Sequence, residues 1–315
     1  MKVVITGGAG YLGSVLVETL LQRKLELGIT KLIVYDNLMY KQNSLFPFAV
    51  HPEFEFVFGN VRQDYELIPL VERADVVIPL AAIVGFPACD ADPELAWEVN
   101  TIQLETICSI KSNFKLIYPN TNSGYGTTEG SVYCTEETAL NPVSVYGQSK
   151  CAAEKFVLDF GGISLRLATV FGASYRFRKD LLVNDFVLKA LTDKYIVLFE
   201  SSFKRNYIHV RDVVETFIHM IVAYEKFKGQ AFNVGLSSAN LSKLELCEAI
   251  KKHVPDFVIK LDEFQKDKDK RNYIVSNAKL EATGWKSKYD LDFGIRELIR
   301  AYEIFLHANT EFTNL

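Results

Sequence analysis

KVVITGGAGYLGSVLVETLLQRK, Lys2 to Lys24, carries a β-branched run straight into a glycine-rich turn and then into apolar residues at helical spacing. Gly7, Gly10 and Gly13 stand in a G-x-x-G-x-x-G pattern at that junction, and the next apolar run, KLIVYD, ends on Asp36. A glycine triplet alone says little. Preceded by a strand, followed by a helix and completed by an acid at the end of the second strand, it is a dinucleotide-binding fingerprint. The first glycine permits the tight turn, the second lets backbone approach a pyrophosphate, and the third lets the helix pack close to the sheet. At Tyr11 and Leu12 the helix N-terminus offers unpaired N–H groups and a partial positive charge to the phosphates. Asp36 is placed to accept hydrogen bonds from the adenosine ribose. Its charge would repel a 2′-phosphate, so NAD is expected over NADP.

Outward from this unit the alternation continues. FEFVFGN, ADVVIPLAA, FKLIYPN and ISLRLATVFG read as strands. Between them lie the helical YELIPLVER, a helix expected over Pro93 to Lys111, and a helix around SVYGQSK. Such alternation predicts an α/β protein with a parallel, doubly wound sheet. Beyond Gly172 the pattern loosens. DLLVNDFVLKALT reads as helix, YIVLFE and RNYIHV as strands, RDVVETFIHMIVAYEKF as helix and QAFNVG as a last strand. From Leu241 onward short helices and polar turns are expected, closing on an amphipathic helix after Phe293. This predicts a smaller α/β lobe, residues 172–204 and 236–315, interleaved with a sheet domain of residues 1–171 and 205–235.

Composition removes several function classes. A net charge of −4 gives no basic footprint for nucleic acid, and the one basic run, KDKDKR at Lys266–Arg271, is broken by aspartates and reads as a solvated loop. No apolar segment is long enough to span a bilayer, and the chain opens on a strand rather than a leader, so a cytoplasmic protein is expected. Cys89, Cys108, Cys134, Cys151 and Cys247 are scattered without metal or disulfide spacing, which suits a reducing compartment and predicts no metal site.

SVYGQSK places Tyr146 and Lys150 one helical turn apart, on one face. Alone, such a pair is a solvated helix surface. Here it accompanies the dinucleotide fingerprint and YPNTNSGYG, Tyr118 to Gly126, at the end of a parallel strand, where ligand crevices form. Thr121 offers a hydroxyl to a substrate alcohol or carbonyl, and Lys150 can hold the nicotinamide ribose. The charge of Lys150, with that of the oxidised nicotinamide, is expected to lower the Tyr146 phenol from its usual ~10 and make it a general base. His209 and His219 sit in apolar surroundings and are expected to be structural.

These motifs, with PLAA, Asn100, TNSGYG, RLATVFG, RNYIHVRDV and KLEATGW, resemble the extended short-chain dehydrogenase/reductases of the NAD-dependent nucleotide-sugar epimerase/dehydratase family, and they span most of the chain. The resemblance implies a Rossmann-type fold and a catalytic set of Thr121, Tyr146 and Lys150. It implies cofactor contacts from Asp36, Asn37, Leu38, Asn60, Val61, Leu80, Ala81, Ala82, Asn100 and Leu167. It further implies that Arg205 and Arg271 clamp a sugar-nucleotide diphosphate and that Asn184 faces the substrate, with Asn122, Ser123, Thr169, Arg176 and Arg178 as further substrate candidates. In this family the helix from Pro93 and the Tyr146–Lys150 helix pair with their two-fold mates, which implies a homodimer.

Members share one half-reaction, oxidation of a sugar hydroxyl, and differ afterwards. The 4,6-dehydratases carry an Asp-Glu pair after the threonine; this chain has Asn122 and Ser123, which cannot serve that elimination. YPNTNSGYG, LRLATVFG, LLVNDF, GLSSANL and SNAKLEATGW are similar to the GDP-D-glycero-α-D-manno-heptose 4-dehydrogenases of capsular-heptose biosynthesis. That likeness implies a GDP-linked 4-keto-heptose product and reoxidation of NADH by a 2-oxo acid such as 2-oxoglutarate. A 4-epimerase, which needs the same three residues, stays open. So does a non-catalytic NAD sensor, which would typically lack the tyrosine–lysine pair.

Overall fold

The computed structural model describes residues 1–128, 132–262 and 271–307. Of the basic run KDKDKR, only Arg271 falls within the described residues. Seven strands form one parallel sheet: β1 Lys2–Thr6, β2 Lys31–Asp36, β3 Phe54–Phe58, β4 Val76–Pro79, β5 Lys115–Thr121, β6 Ile163–Leu167 and β7 Ala231–Val234. Their order is β3-β2-β1-β4-β5-β6-β7, the doubly wound α/β arrangement that the alternation predicts. Strand order reverses between β1 and β4, and open sheets of this kind bind ligands at the carboxyl ends of such strands.

Side chains on a strand alternate faces, so a strand buried on both sides reads as a continuous apolar run. Val3, Ile5, Val76 and Ile78 enter one core, which helices Tyr11–Gln22 and Val210–Val222 cover. Val4 and Val77 enter the other, closed by helices Asp64–Glu72, Gln103–Ser109 and Val145–Phe160. A third core gathers Phe171, Val183, Phe186, Leu246, Phe257, Leu298 and Tyr302 around helices Leu182–Thr192, Lys243–Lys251 and Leu291–Phe305.

Three expectations change. ISLRLATVFG is two strands, β6 in the large sheet and Thr169–Phe171 in a three-stranded sheet with Lys204–His209 and Asn240–Ser242. The helix expected from Pro93 to Lys111 has α-helical ends, Pro93–Trp97 and Gln103–Ser109, around a π-helical segment at Glu98–Ile102. Beyond Leu241 there are strands as well as helices. Val258–Asp262 pairs with Tyr195–Phe199, and Ile274–Val275 pairs with Tyr133–Cys134, both parallel. Val258–Asp262 is exposed or half-exposed along its length, so it lacks the apolar run that marks the buried strands.

Among the described residues, no helix is long and apolar enough to cross a membrane. No group of three or more His, Cys, Asp or Glu among them could hold a metal ion.

Candidate active site

At the carboxyl end of β1 the glycine turn is built by close backbone approach. Gly7 has φ +70°, and a Cβ there would lie 2.5 Å from the Ala81 nitrogen, inside the segment that follows β4. A Cβ on Gly13 would lie 2.6 Å from the Gly8 backbone, so the first helix rests on the turn itself. That helix starts from Gly10 with no side-chain cap, which leaves the first-turn N–H groups at Tyr11 and Leu12 to an anion. The Asp36 carboxylate accepts from Ala9 N at 3.0 Å and from Leu38 N at 2.8 Å. Burial pushes its carboxyl above the usual range, against these two bonds and the charge of Arg176. Asn37 caps the Met39 nitrogen, and Leu38 sits at φ 49° where the loop turns away. Asn60 and Val61 line a cleft of about 430 Å³ with Arg62, Glu98 and Gln103. Leu80 and Ala81 are held to Thr6 by 2.9 and 3.3 Å bonds, Ala82 follows them, and Leu167 ends β6. Turn, uncapped helix, terminal acid and adjacent cleft fit the two halves of a dinucleotide, and these residues could hold one.

The helix Val145–Phe160 opens on a Ser144 cap, whose Oγ accepts from Gly147 N at 3.2 Å, and closes on Gly161 at φ 88°. It packs on β5, with Tyr146 near Thr121 and Lys150 over the Tyr118 ring. Thr121 Oγ1 donates to Ser123 Oγ at 2.9 Å, and the Thr121 side chain lies near enough to the Tyr146 phenol to act on it. Burial pushes the Tyr146 phenol up to about 12, opposed by the Arg271 charge and the nearby Thr121 hydroxyl and aided by Cys89. Desolvation here outweighs the Arg271 and Arg178 charges, and Lys150 is not among the groups that act on the phenol; the expected lowering concerns Lys150 together with an oxidised nicotinamide. Burial also pushes Lys150 down to about 7. Asn122 is 1% exposed, and neither atom of its amide has a hydrogen-bond partner among the described residues. An orphaned buried amide beside Thr121 is what a polar ligand would satisfy.

Several expected contacts have other partners. Both N–H groups of Asn100 are taken, by Ile83 O and Ser149 Oγ, while its oxygen accepts from Ile83 N; the side chain ties the β4 loop to the Tyr146 helix. Asn184 is fully buried, and its amide bonds to Gly172 N, Gly172 O and Arg178 O, fixing a turn rather than facing a cleft. Arg176 stacks on Tyr40, its Cζ 4.4 Å from the ring centroid, and its charge acts on Asp36, so it lies on the side of the glycine cradle. Arg178 pairs with Asp180. Arg205 is buried, 5.5 Å from the Tyr273 ring centroid, and donates to Lys204 O. Arg271 donates to Ser123 Oγ, joining the Thr121 cluster, and Thr169 lies half-buried on its short strand. The histidines have structural partners: Glu297 at 2.8 Å for His209, and Thr283 at 2.8 Å for His219.

The sequence reading missed a buried network below the site. Arg166 on β6 pairs with Glu154 at 2.8 Å, one turn beyond Lys150. Glu154 also accepts from Asn120 at 2.7 Å, and Asn120 in turn accepts from Thr121 N at 2.8 Å. Its signal was available, since Tyr118 and Asn120 share one face of β5 and Lys150 and Glu154 share one face of the helix.

Residues 3–235 match the NAD dependent epimerase/dehydratase family. The chain belongs to that family. Within it, the chain is 27% identical to CDP-paratose 2-epimerase of Salmonella typhi, over 95% of this chain and 98% of that protein. Among solved structures, Bacillus cereus UDP-glucuronic acid 4-epimerase, in complex with UDP-glucuronic acid and NAD, superposes with a TM-score of 0.83 at 22% identity, covering 97% of this chain and 100% of that one. The dTDP-glucose 4,6-dehydratase of Bacillus anthracis, in complex with NAD, gives 0.80 at 24% identity with 96% of each chain covered. For an epimerase/dehydratase family member, the crevice at the ends of β1, β4 and β5 has the parts required for a dinucleotide and a second substrate.

Proposed function

We propose that this chain uses NAD to oxidise a nucleotide-sugar at C4. The observation that supports the reading is Thr121 at the carboxyl end of β5 with Tyr146 near it, on a helix that also carries Lys150 one turn further on. Thr121 holds the sugar hydroxyl through its Oγ1, and Tyr146 Oη takes the hydroxyl proton. Bound NAD supplies the hydride acceptor for the same carbon. Lys150 brings a positive charge to the nicotinamide ribose and favours the phenolate once the site is filled. Residues 1–171 and 205–235 serve the cofactor in this reading, and 172–204 with 236–315 serve the nucleotide-sugar. Arg205 and Arg271 supply guanidinium groups suited to a diphosphate. The oligomer is a homodimer, paired through the helices Pro93–Ser109 and Val145–Phe160.

For the substrate we infer GDP-D-glycero-α-D-manno-heptose, with the 4-keto sugar released and bound NADH reoxidised by a 2-oxo acid. The support is the likeness of the segments around Thr121, Asn184 and Leu280, together with Asn122 and Ser123 standing where a dehydratase needs two acids. A nucleotide-sugar 4-epimerase is the second reading. It is favoured by full-length relatives that bear that name, such as UDP-glucose 4-epimerase of Lacticaseibacillus casei, 26% identical over 92% of this chain. One incubation separates the two: GDP-manno-heptose and a panel of UDP-, CDP- and dTDP-sugars, with and without 2-oxoglutarate, followed by NMR. Net 4-keto sugar that depends on the oxo acid supports the dehydrogenase. A C4 epimer formed with no co-oxidant overturns it in favour of the epimerase.

A further inference from the structure

Lys150 is 3% exposed, and among the described residues no carboxylate is found in the groups that act on it. A buried ammonium without an anion ordinarily gives up its proton or finds another source of negative potential. The source here is an aromatic face. Lys150 Nζ stands 4.1 Å from the centroid of the Tyr118 ring, well inside the ~6 Å reach of a cation–π contact. Tyr118 is itself fully buried in β5, three residues before Thr121, and its hydroxyl donates to Lys150 O at 3.1 Å. Ring and helix are thereby fixed to each other twice, once through the ammonium and once through the backbone carbonyl.

We propose that Tyr118 is the positioning residue of Lys150: its ring face fixes the ammonium beneath the site and offsets part of the burial that strips its proton. The inference rests on the proposed role of Lys150 toward the cofactor ribose and the Tyr146 phenol. Tyr118 is no rival base. Burial drives its phenol well above the usual value, with the charges of Tyr146, Cys151 and Glu154 adding to that, so it presents a neutral ring. The titratable groups whose charges act on Lys150 are Cys151 on its own helix and Cys89 on the helix Phe86–Ala91; Tyr146, one turn back, is the phenol it is proposed to serve, and Glu154, one turn on, is committed to Arg166. Neither thiol can replace the ring in its neutral form, and burial raises both, Cys89 to about 11 and Cys151 to about 12. Around neutrality the ring is therefore the persistent partner of the ammonium.

The test compares two rings of nearly equal shape at one position. Tyr118→Phe keeps the π face and loses the hydroxyl; pentafluorophenylalanine installed at position 118 keeps the shape and reverses the electrostatics of the face. Full-length protein labelled with carbon-13 at lysine Cε is titrated by NMR, and the Lys150 signal is assigned by its loss in Lys150→Met. Tyr118→Phe is expected to titrate within about half a unit of the native chain. The fluorinated ring is expected to lower the midpoint by about one unit, a tenfold loss of charged lysine where the two curves separate. NADH affinity, read by fluorescence titration, should fall several-fold with it near neutrality and recover in acid, where Lys150 is protonated in both variants. If the fluorinated ring leaves the midpoint where phenylalanine puts it, the proposal is overturned. Failure of the native chain to bind NADH would instead overturn the cofactor reading, and the Lys150 midpoints would still decide the role of Tyr118.

Discussion

Arg166 and Glu154 are paired at 2.8 Å, both side chains almost wholly buried, directly beneath the strand end that carries Thr121. Ser164, Asn120 and Tyr125 complete their hydrogen bonds, so the ion pair sits in a satisfied network rather than in bare hydrocarbon.

Removing one partner leaves the other charge buried and alone. Glu154→Ala is expected to destabilise the fold by about 3–5 kcal/mol in urea or thermal unfolding. Burial raises the Glu154 carboxyl, but the Arg166 bond and charge outweigh it and hold the group below the usual carboxylate range. Its contribution is therefore present above the unfolded value of ~4.3 and is lost as pH falls through the lower folded value. The stability difference between the native chain and Glu154→Ala should narrow in acid, and a constant difference would assign the loss to packing.

Nucleotide choice follows from Asp36 with Arg176 nearby. Isothermal titration should show NADH bound far more tightly than NADPH. Asp36→Asn removes the charge that repels a 2′-phosphate while Arg176 remains to attract one, so the gap should narrow by tenfold or more, on the order of 1.4 kcal/mol. Adding Arg176→Ala should reopen it. Equal affinities in the native chain would contradict the reading of Asp36.

Tyr146→Phe should cut turnover by ~10²-fold or more on the nucleotide-sugar that the NMR panel selects, the scale of a lost general base. NADH affinity should hardly change. A variant at near-native rate would mean that another group takes the proton.

Lys150→Met carries a less obvious expectation. Burial pulls the Lys150 folded value down to about 7, below its unfolded ~10.4. Between these values the unfolded chain binds the extra proton, so stability rises with pH across that window, and below it the folded chain bears a desolvated charge. The methionine variant should melt above the native chain at neutral pH, with the difference shrinking toward pH ~10, while NADH affinity falls. A lower melting temperature throughout would show that the ammonium stabilises the fold.

Light scattering at micromolar concentration should give twice the chain mass of 35.7 kDa. Trp97 and Ile102, exposed on the segment from Pro93, are the residues whose change to a charged side chain should release monomers.

How far the sequence could be read depended on periodicity. β1, β2 and β4 are nearly or fully buried, so Val3–Ile5 and Val76–Ile78 read as apolar runs and the large sheet was legible from them. The break at Ala168 was not, because no turn residue separates β6 from Thr169–Phe171 and only their hydrogen-bond partners differ. Tyr146 and Lys150 were legible from helical spacing, but the ring beneath Lys150 lies on a strand 32 residues away in the chain. Burial, which lifts Tyr146 to about 12, is likewise a tertiary quantity. Arg176 was read toward the substrate from the resemblance, since loop charges have no periodicity to place them; its neighbours Tyr40 and Asp36 are brought to it by tertiary packing.

The turn after Phe171 fastens the first helix of the chain to its last. Tyr11 donates to Gly172 O at 2.9 Å and Tyr175 to Glu18 at 2.6 Å, while Ala173 N donates to Glu297 at 2.9 Å and Tyr302 to Asn184 O at 2.8 Å. The family match ends at residue 235, yet a fragment cut there would keep all seven strands of the sheet and lose Glu297 and Tyr302. The glycine cradle would then be flanked by a segment with one of its two moorings gone. The stretch that matches the family and the stretch that holds the cradle's flank in place therefore end at different residues.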